Sequence, residues 1–331
     1  MLKADLNQKN QQRKSRTLKN KQKNNKKNSG RFNVLAAATV LICFGLYFVL
    51  NKAPESPQPV KSSVVWKTAS LPKGVTNDIV SETLARLDQL YFFAEHEIPY
   101  DENLMRLIRN ERASAPTREQ MEKDLQTLRG MHLDYIGQFH LSLDMDDRTI
   151  VAIQAKIAEM VHKNYDVLWA EDFCGGEIVT SNNAWLQVVA ESQDAEVPIA
   201  HSFTNEVEIR AYFEKSAPSC ASYQFIANPN LGITVRGADY RPVKSLEQHF
   251  MSYLLPASVR GKPAPYTFKG TQADLVITTL SQVRNLHILH TIARKADRTK
   301  RNVLVLGSAH INHMSYLMAK YGIEGSLTFV Q

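Results

Sequence analysis

The sequence predicts an α/β fold, and two similar stretches together with a βαβ-like spacing predict it. Near the C-terminus, Val303-Leu304-Val305-Leu306 is an apolar run that breaks at Gly307-Ser308-Ala309-His310. Ile311, Met314, Leu317 and Met318 then fall on one side of a helix. That is a buried strand, a tight turn and a helix. The same arrangement occurs at Leu133-Asp134-Tyr135-Ile136 followed by Gly137-Gln138-Phe139-His140. In open α/β sheets ligands bind outside the carboxyl ends of the strands, where both histidines fall.

The chain before these units is organised for a membrane. Residues 1–31 hold eleven Lys or Arg and one acid, Asp5, with few apolar residues, and are expected to be disordered. Without them the net charge of +7 becomes −3, so the basic balance is a topogenic tail and no nucleic-acid partner is expected. Val34–Leu50 is uncharged for 17 residues, a span of about 26 Å as a helix. It is read as a signal-anchor within a transmembrane region 32–51. The Lys/Arg excess before it places the N-terminus in the cytoplasm and the bulk of the chain in the periplasm or outside the cell. A cleaved signal peptide is the competing reading; the long basic region and the lack of a small-x-small site after Leu50 argue against it. Residues 52–74, with Pro54, Pro57, Pro59 and Pro72, read as an extended tether.

Residues 75–130 read as a helical subdomain. Ile79, Leu84, Leu87 and Leu90 mark one amphipathic helix, and Leu104, Leu107 and Ile108 a second. Thr117 and Gln120 form a capping box, and Gly130 stops the third helix. Glu95-His96-Glu97 reads as a solvated loop. Ile150, Ile153, Ile157 and Val161 give a helix over Thr149–Lys163 after the first strand. Asp166–Glu171 is a second strand ending in a carboxylate, completing a βαβ-like unit. Pro198–His201 is expected as a short strand and Asn205–Lys215 as a helix. Gly232–Asp239 is a strand with an acid at its end, and Leu246–Leu255 a helix. A Pro/Gly/Lys loop spans 256–272. Ala273–Ala296 is one long helix carrying Arg284, Asn285, His287 and His290, and Ser326–Val330 is a last strand. Cys174 and Cys220 face the oxidising side under this topology and are a candidate disulfide.

The joint order of Gly137-Gln138-Phe139-His140, Glu171, Arg284 and Gly307-Ser308-Ala309-His310 resembles the TraB/TIKI-like superfamily, which takes in the erythromycin-esterase-like and ChaN-like proteins. The resemblance covers residues 131–331. Asp239 matches a further acidic position less securely, and residues 172–232 follow no pattern of the family. The resemblance implies a central mixed sheet flanked by helices, with pseudo-repeated strand–GxxH–helix units. It also implies, in some members, a metal-dependent peptidase or esterase, and in others haem binding or no known activity.

Read from their chemistry, His140, His310 and Glu171 are a ligand set for Mn, Co or Zn, and such an ion activates water near neutral pH. Glu171 is alternatively the general base, and Arg284 holds an oxyanion or a substrate carboxylate. The substrate is then a peptide or small molecule. Bland readings stand beside these. His140 caps the following helix, His310 bonds backbone at its turn, and Glu171 pairs with Arg284 as a structural bridge. His313 faces solvent, at least one of His287 and His290 is plain packing, and Trp169, Trp185 and Phe173 belong to the core. The other class of function is a non-catalytic binding protein for haem, metal or a small ligand, or an envelope interaction protein.

Overall fold

The computed structural model describes residues 64–65, 78–138, 147–181, 183–184, 186, 206–254 and 264–330. The tail, the Val34–Leu50 run, the Phe139-His140 half of the first turn, Trp185 and the Pro198–His201 strand lie outside them. Among the described residues no helix is long and apolar enough to cross a membrane.

The architecture is α/β, a six-stranded sheet flanked by helices. In chain order the elements are β1 (Val64–Val65), α1 (Ile79–His96), α2 (Glu102–Ser114), α3 (Arg118–Gln126), β2 (Leu133–Gln138), α4 (Asp147–Asn164) and β3 (Val167–Cys174). There follow α5 (Glu206–Ser216), α6 (Ala221–Ala227), β4 (Thr234–Asp239), α7 (Arg241–Leu254), α8 (Gln272–Lys295), β5 (Asn302–Gly307), α9 (Ile311–Lys320) and β6 (Ser326–Val330). The strand order is β1-β6-β2-β5-β3-β4. Five strands are parallel, and β1 pairs antiparallel with β6, so the sheet is mixed. The tether expected over 52–74 is thus amended at Val64–Val65, which pair with Leu327 and Ser326 at the sheet edge.

Side chains alternate across the strands and divide the core. Val303 and Val305 of β5 join Ile153, Ile157 and Val161 of α4 and Phe225 of α6 on one face. Leu304 and Leu306 join Leu286, Leu289 and Ile292 of α8, Met314, Leu317 and Met318 of α9, and Met121 and Leu125 of α3 on the other. A further core joins Leu87 and Leu90 of α1 and Leu104, Leu107 and Ile108 of α2 to Val243, Leu246 and Phe250 of α7 and Val276, Leu280 and Val283 of α8. Residues 79–126 therefore share a core with the sheet-covering helices. Thr117 caps α3 as the sequence reads, its side chain accepting the Gln120 N–H, and Asp78 and Asp101, not singled out there, accept the Ser81 and Leu104 N–H groups in the same way.

Two strand ends differ from the expectation. Strand β3 runs past Glu171 to Cys174, with a register irregularity between Ala170 and Cys174. Gly307 has φ −59° and ψ 149°, an ordinary extended conformation, so no left-handed turn requires glycine there. Gly137 is closely packed instead. A Cβ placed there would lie 3.1 Å from Ile311 Cδ1 and from Phe329 Cε1.

Candidate active site at the carboxyl ends of the strands

The topology brings separated parts of the chain to one end of the sheet. Strand β5 lies between β2 and β3, and Gln138 is paired with Gly307. Strands β2 and β5, which carry Gly137-Gln138 and Gly307, are therefore adjacent and parallel and finish at the same end. Glu171 of β3 reaches the second turn from the other side of β5: its Oε2 accepts the Gly307 N–H at 2.8 Å.

Arg284 of α8 organises the interior of this end. It is buried, and its guanidinium is shared by three buried carboxylates. Nε and Nη2 donate to Asp239 Oδ1 and Oδ2 at 3.1 and 2.9 Å, a bidentate pair. Nη1 donates to Glu247 Oε2 at 2.6 Å and Nη2 to Glu171 Oε1 at 3.1 Å. Lys244 Nζ lies 4.0 Å from Asp239 Oδ2. Burial pushes the Asp239 carboxyl up to about 6, against the pull of Arg284 and Lys244. Burial also opposes the charge of Arg284, but Asp239, Glu247 and Glu171 outweigh it and hold the guanidinium protonated well above its usual range.

The bridge between Glu171 and Arg284 is present, and it revises the expected role of Arg284. A guanidinium engaged by three carboxylates holds Glu171 in place; it is not a free hand for an oxyanion. Glu247 and Lys244 were missed from the sequence. A signal existed: Glu247 lies four residues after Val243 on the apolar stripe of α7, where a carboxylate needs a buried partner.

His310 is fully buried at the start of α9. Its Nδ1 is 2.6 Å from Asn285 Oδ1 and 3.3 Å from Ser281 Oγ. Its Nε2 is 3.3 Å from Glu171 Oε1 but makes no hydrogen bond among the described residues. His313, expected to face solvent, is instead partly buried with Nδ1 3.3 Å from Asn285 Nδ2. Burial, with His310 and Arg86 nearby, lowers its pKa to about 4.

The remaining polar residues of the sequence reading are structural. His290 pairs with Asp124 at 3.0 Å. His287 stacks on Tyr240 with ring centroids 4.2 Å apart, and burial and then His290 lower its pKa to about 3. Trp169 and Phe173 are in the core, and Glu95 and His96 are exposed at the end of α1. Cys174 and Cys220 are not joined in the candidate disulfide.

A divalent ion fits two of the expected ligands. Ligands of one tetrahedral ion at bond lengths of about 2.1 Å lie about 3.4 Å apart. The His310 Nε2 to Glu171 Oε1 separation is 3.3 Å, and that Nε2 lacks a hydrogen-bond partner among the described residues. Among the described residues no group of three His, Cys, Asp or Glu is placed to hold an ion. The third expected ligand, His140, lies two residues beyond Gln138 and outside the described residues. No family model, curated protein or solved structure matches this chain.

Proposed function

We propose that this chain is a metal-dependent hydrolase of peptide or ester bonds, of the TraB/TIKI-like type. In this reading Val34–Leu50 anchors it in the membrane with the α/β domain outside the cytoplasm. The observation that carries the activity is the buried His310 Nε2, without a hydrogen bond among the described residues and 3.3 Å from Glu171 Oε1. A nitrogen lone pair and a carboxylate oxygen repel at this distance unless a cation or a proton lies between them. The pairing of Gln138 with Gly307 supports His140 as the third ligand, because the strands that carry Gly137-Gln138 and Gly307 finish at the same end of the sheet.

When bound, the ion would supply Lewis acidity, activating water and polarising a carbonyl. The chain's own residues do the rest. His310 presents Nε2 because Asn285 occupies Nδ1. Glu171 is pinned through Oε2 by the Gly307 N–H and through Oε1 by Arg284. Its Oε1 is the place to ligate the ion or to take a proton from the attacking water. Arg284 is a positioning residue, and Asp239 and Glu247 hold it.

The test is a panel of peptide and ester substrates offered to the full chain in detergent. Hydrolysis should stop with a chelator, return on adding Mn, Co or Zn, and be lost in His310→Ala. Metal-loaded chain that hydrolyses nothing in the panel would overturn the hydrolase reading and favour a non-catalytic metal, haem or small-ligand protein.

A further inference from the structure

Asn285 touches both His310, just before α9, and His313 within it, and its own orientation is fixed. Its Nδ2 faces the His310 backbone carbonyl at 3.4 Å. A carbonyl oxygen accepts only, so the amide must point its NH2 group that way. Its Oδ1 then faces His310 Nδ1 at 2.6 Å, and Nδ2 also faces His313 Nδ1 at 3.3 Å. An amide oxygen accepts only, so His310 Nδ1 must carry a hydrogen. An amide NH2 donates only, so His313 Nδ1 must be a lone pair.

We propose that Asn285 is a positioning residue that sets opposite tautomers on the two rings. His310 is the Nδ1–H form, with a lone pair on Nε2 toward Glu171. His313 is the Nε2–H form, a neutral donor. Both Nε2 atoms are buried without a hydrogen-bond partner among the described residues. One side chain of α8 thus prepares an acceptor on His310 and a donor on His313, residues one helical turn apart at the start of α9. Ser281 Oγ, 3.3 Å from His310 Nδ1, is a hydroxyl that can accept or donate there, so it selects neither tautomer. The bond to Asn285 Oδ1 biases His310 by about tenfold, the worth of one hydrogen bond.

The consequence for the proposed hydrolase is that Asn285 makes His310 ready to ligate; this part rests on that reading, whereas the tautomers do not. The experiment is two-bond proton–nitrogen NMR of the full chain in detergent, labelled with nitrogen-15 histidine, after treatment with chelator at pH 7.5. His310→Gln and His313→Gln assign the two rings. The expected spectrum has His310 protonated on Nδ1 and bare on Nε2, and His313 the reverse. In Asn285→Asp the carboxylate still accepts from His310 but no longer donates to His313. His310 should keep its tautomer, and His313 should lose its single form. A wild-type His310 protonated on Nε2, alone or together with Nδ1, would overturn the proposal. So would a His313 ring unchanged by Asn285→Asp. Adding Zn separates the two claims. Predicted tautomers with no shift at His310 would leave the Asn285 assignment standing and remove the metal site.

Discussion

Replacing Arg284 by Met should be among the most damaging single changes to stability in this domain. The guanidinium makes four hydrogen bonds to Asp239, Glu247 and Glu171. These carboxylates are 0%, 4% and 7% exposed. Met fills much of the stem's volume but leaves the carboxylates facing one another, with Lys244 beside Asp239 as the nearest remaining cation among the described residues. Breaking a buried ion pair by removing one partner costs about 3–5 kcal/mol, a large part of the 5–15 kcal/mol typical of a folded domain. The loss should depend on pH in a definite direction. Asp239 titrates near 6 with Arg284 present, and without the cation its carboxyl moves higher still. A folded pKa above the unfolded one contributes stability that is present at low pH and lost as pH rises. The gap between wild type and Arg284→Met should therefore be smaller near pH 4.5 than at pH 8. Urea unfolding of the full chain in detergent, followed by circular dichroism at several pH values, reads both effects. A gap below about 1 kcal/mol at pH 8, the scale of an exposed pair, would refute the buried network. So would a gap that shrinks as pH rises.

Two further outcomes follow from the core. His287 is neutral in the fold at about 3 but titrates near 6.5 when unfolded, so it lowers stability as pH falls from 6.5 toward 3, by about 3 kcal/mol at pH 4.5. His287→Phe keeps the stacking on Tyr240 and drops two ring nitrogens that have no hydrogen-bond partner among the described residues; it should match or exceed wild-type stability at pH 7 and flatten the acid limb of a melting-temperature profile. An acid limb as steep as the wild type's would count against the assignment. Gly137→Ala puts a Cβ 3.1 Å from Ile311 Cδ1 and Phe329 Cε1, an overpacking cost of about 1–3 kcal/mol, and Ile311→Val should recover part of it in a double-mutant cycle by urea unfolding. Strict additivity would place the strain elsewhere.

The strands were largely legible because each is a short apolar run closed by a polar or glycine boundary. Ser326–Val330 coincides with the expected element, and Thr234–Asp239 and Leu133–Gln138 differ from theirs by a residue or two. The strand order was not legible. That β5 inserts between β2 and β3 is a matter of non-local pairing, and no local pattern around Asn302–Gly307 encodes its neighbours. The same limit applied to α1–α3. Their apolar stripes announced helices, but the partners Val243, Leu246, Val276 and Leu280 lie more than a hundred residues away. At the site, Glu171, Asp239, Arg284, Asn285 and His310 were all singled out and come together. Their roles were harder to read, because an isolated arginine looks like a binding group until its three carboxylates are in view. His313 shows the reverse error. It was read as facing solvent, and only the approach of α8 half-buries it and puts Asn285 against it.

The most direct measurement of the central claim is the metal content of the full chain, as purified and after incubation with Mn, Co or Zn, beside His310→Ala and Glu171→Gln. The account predicts about one ion per chain in the wild type, with the ion lost in His310→Ala and weakened in Glu171→Gln. A wild type that takes up none of the three metals, or a His310→Ala variant that holds metal as well as the wild type, would contradict it.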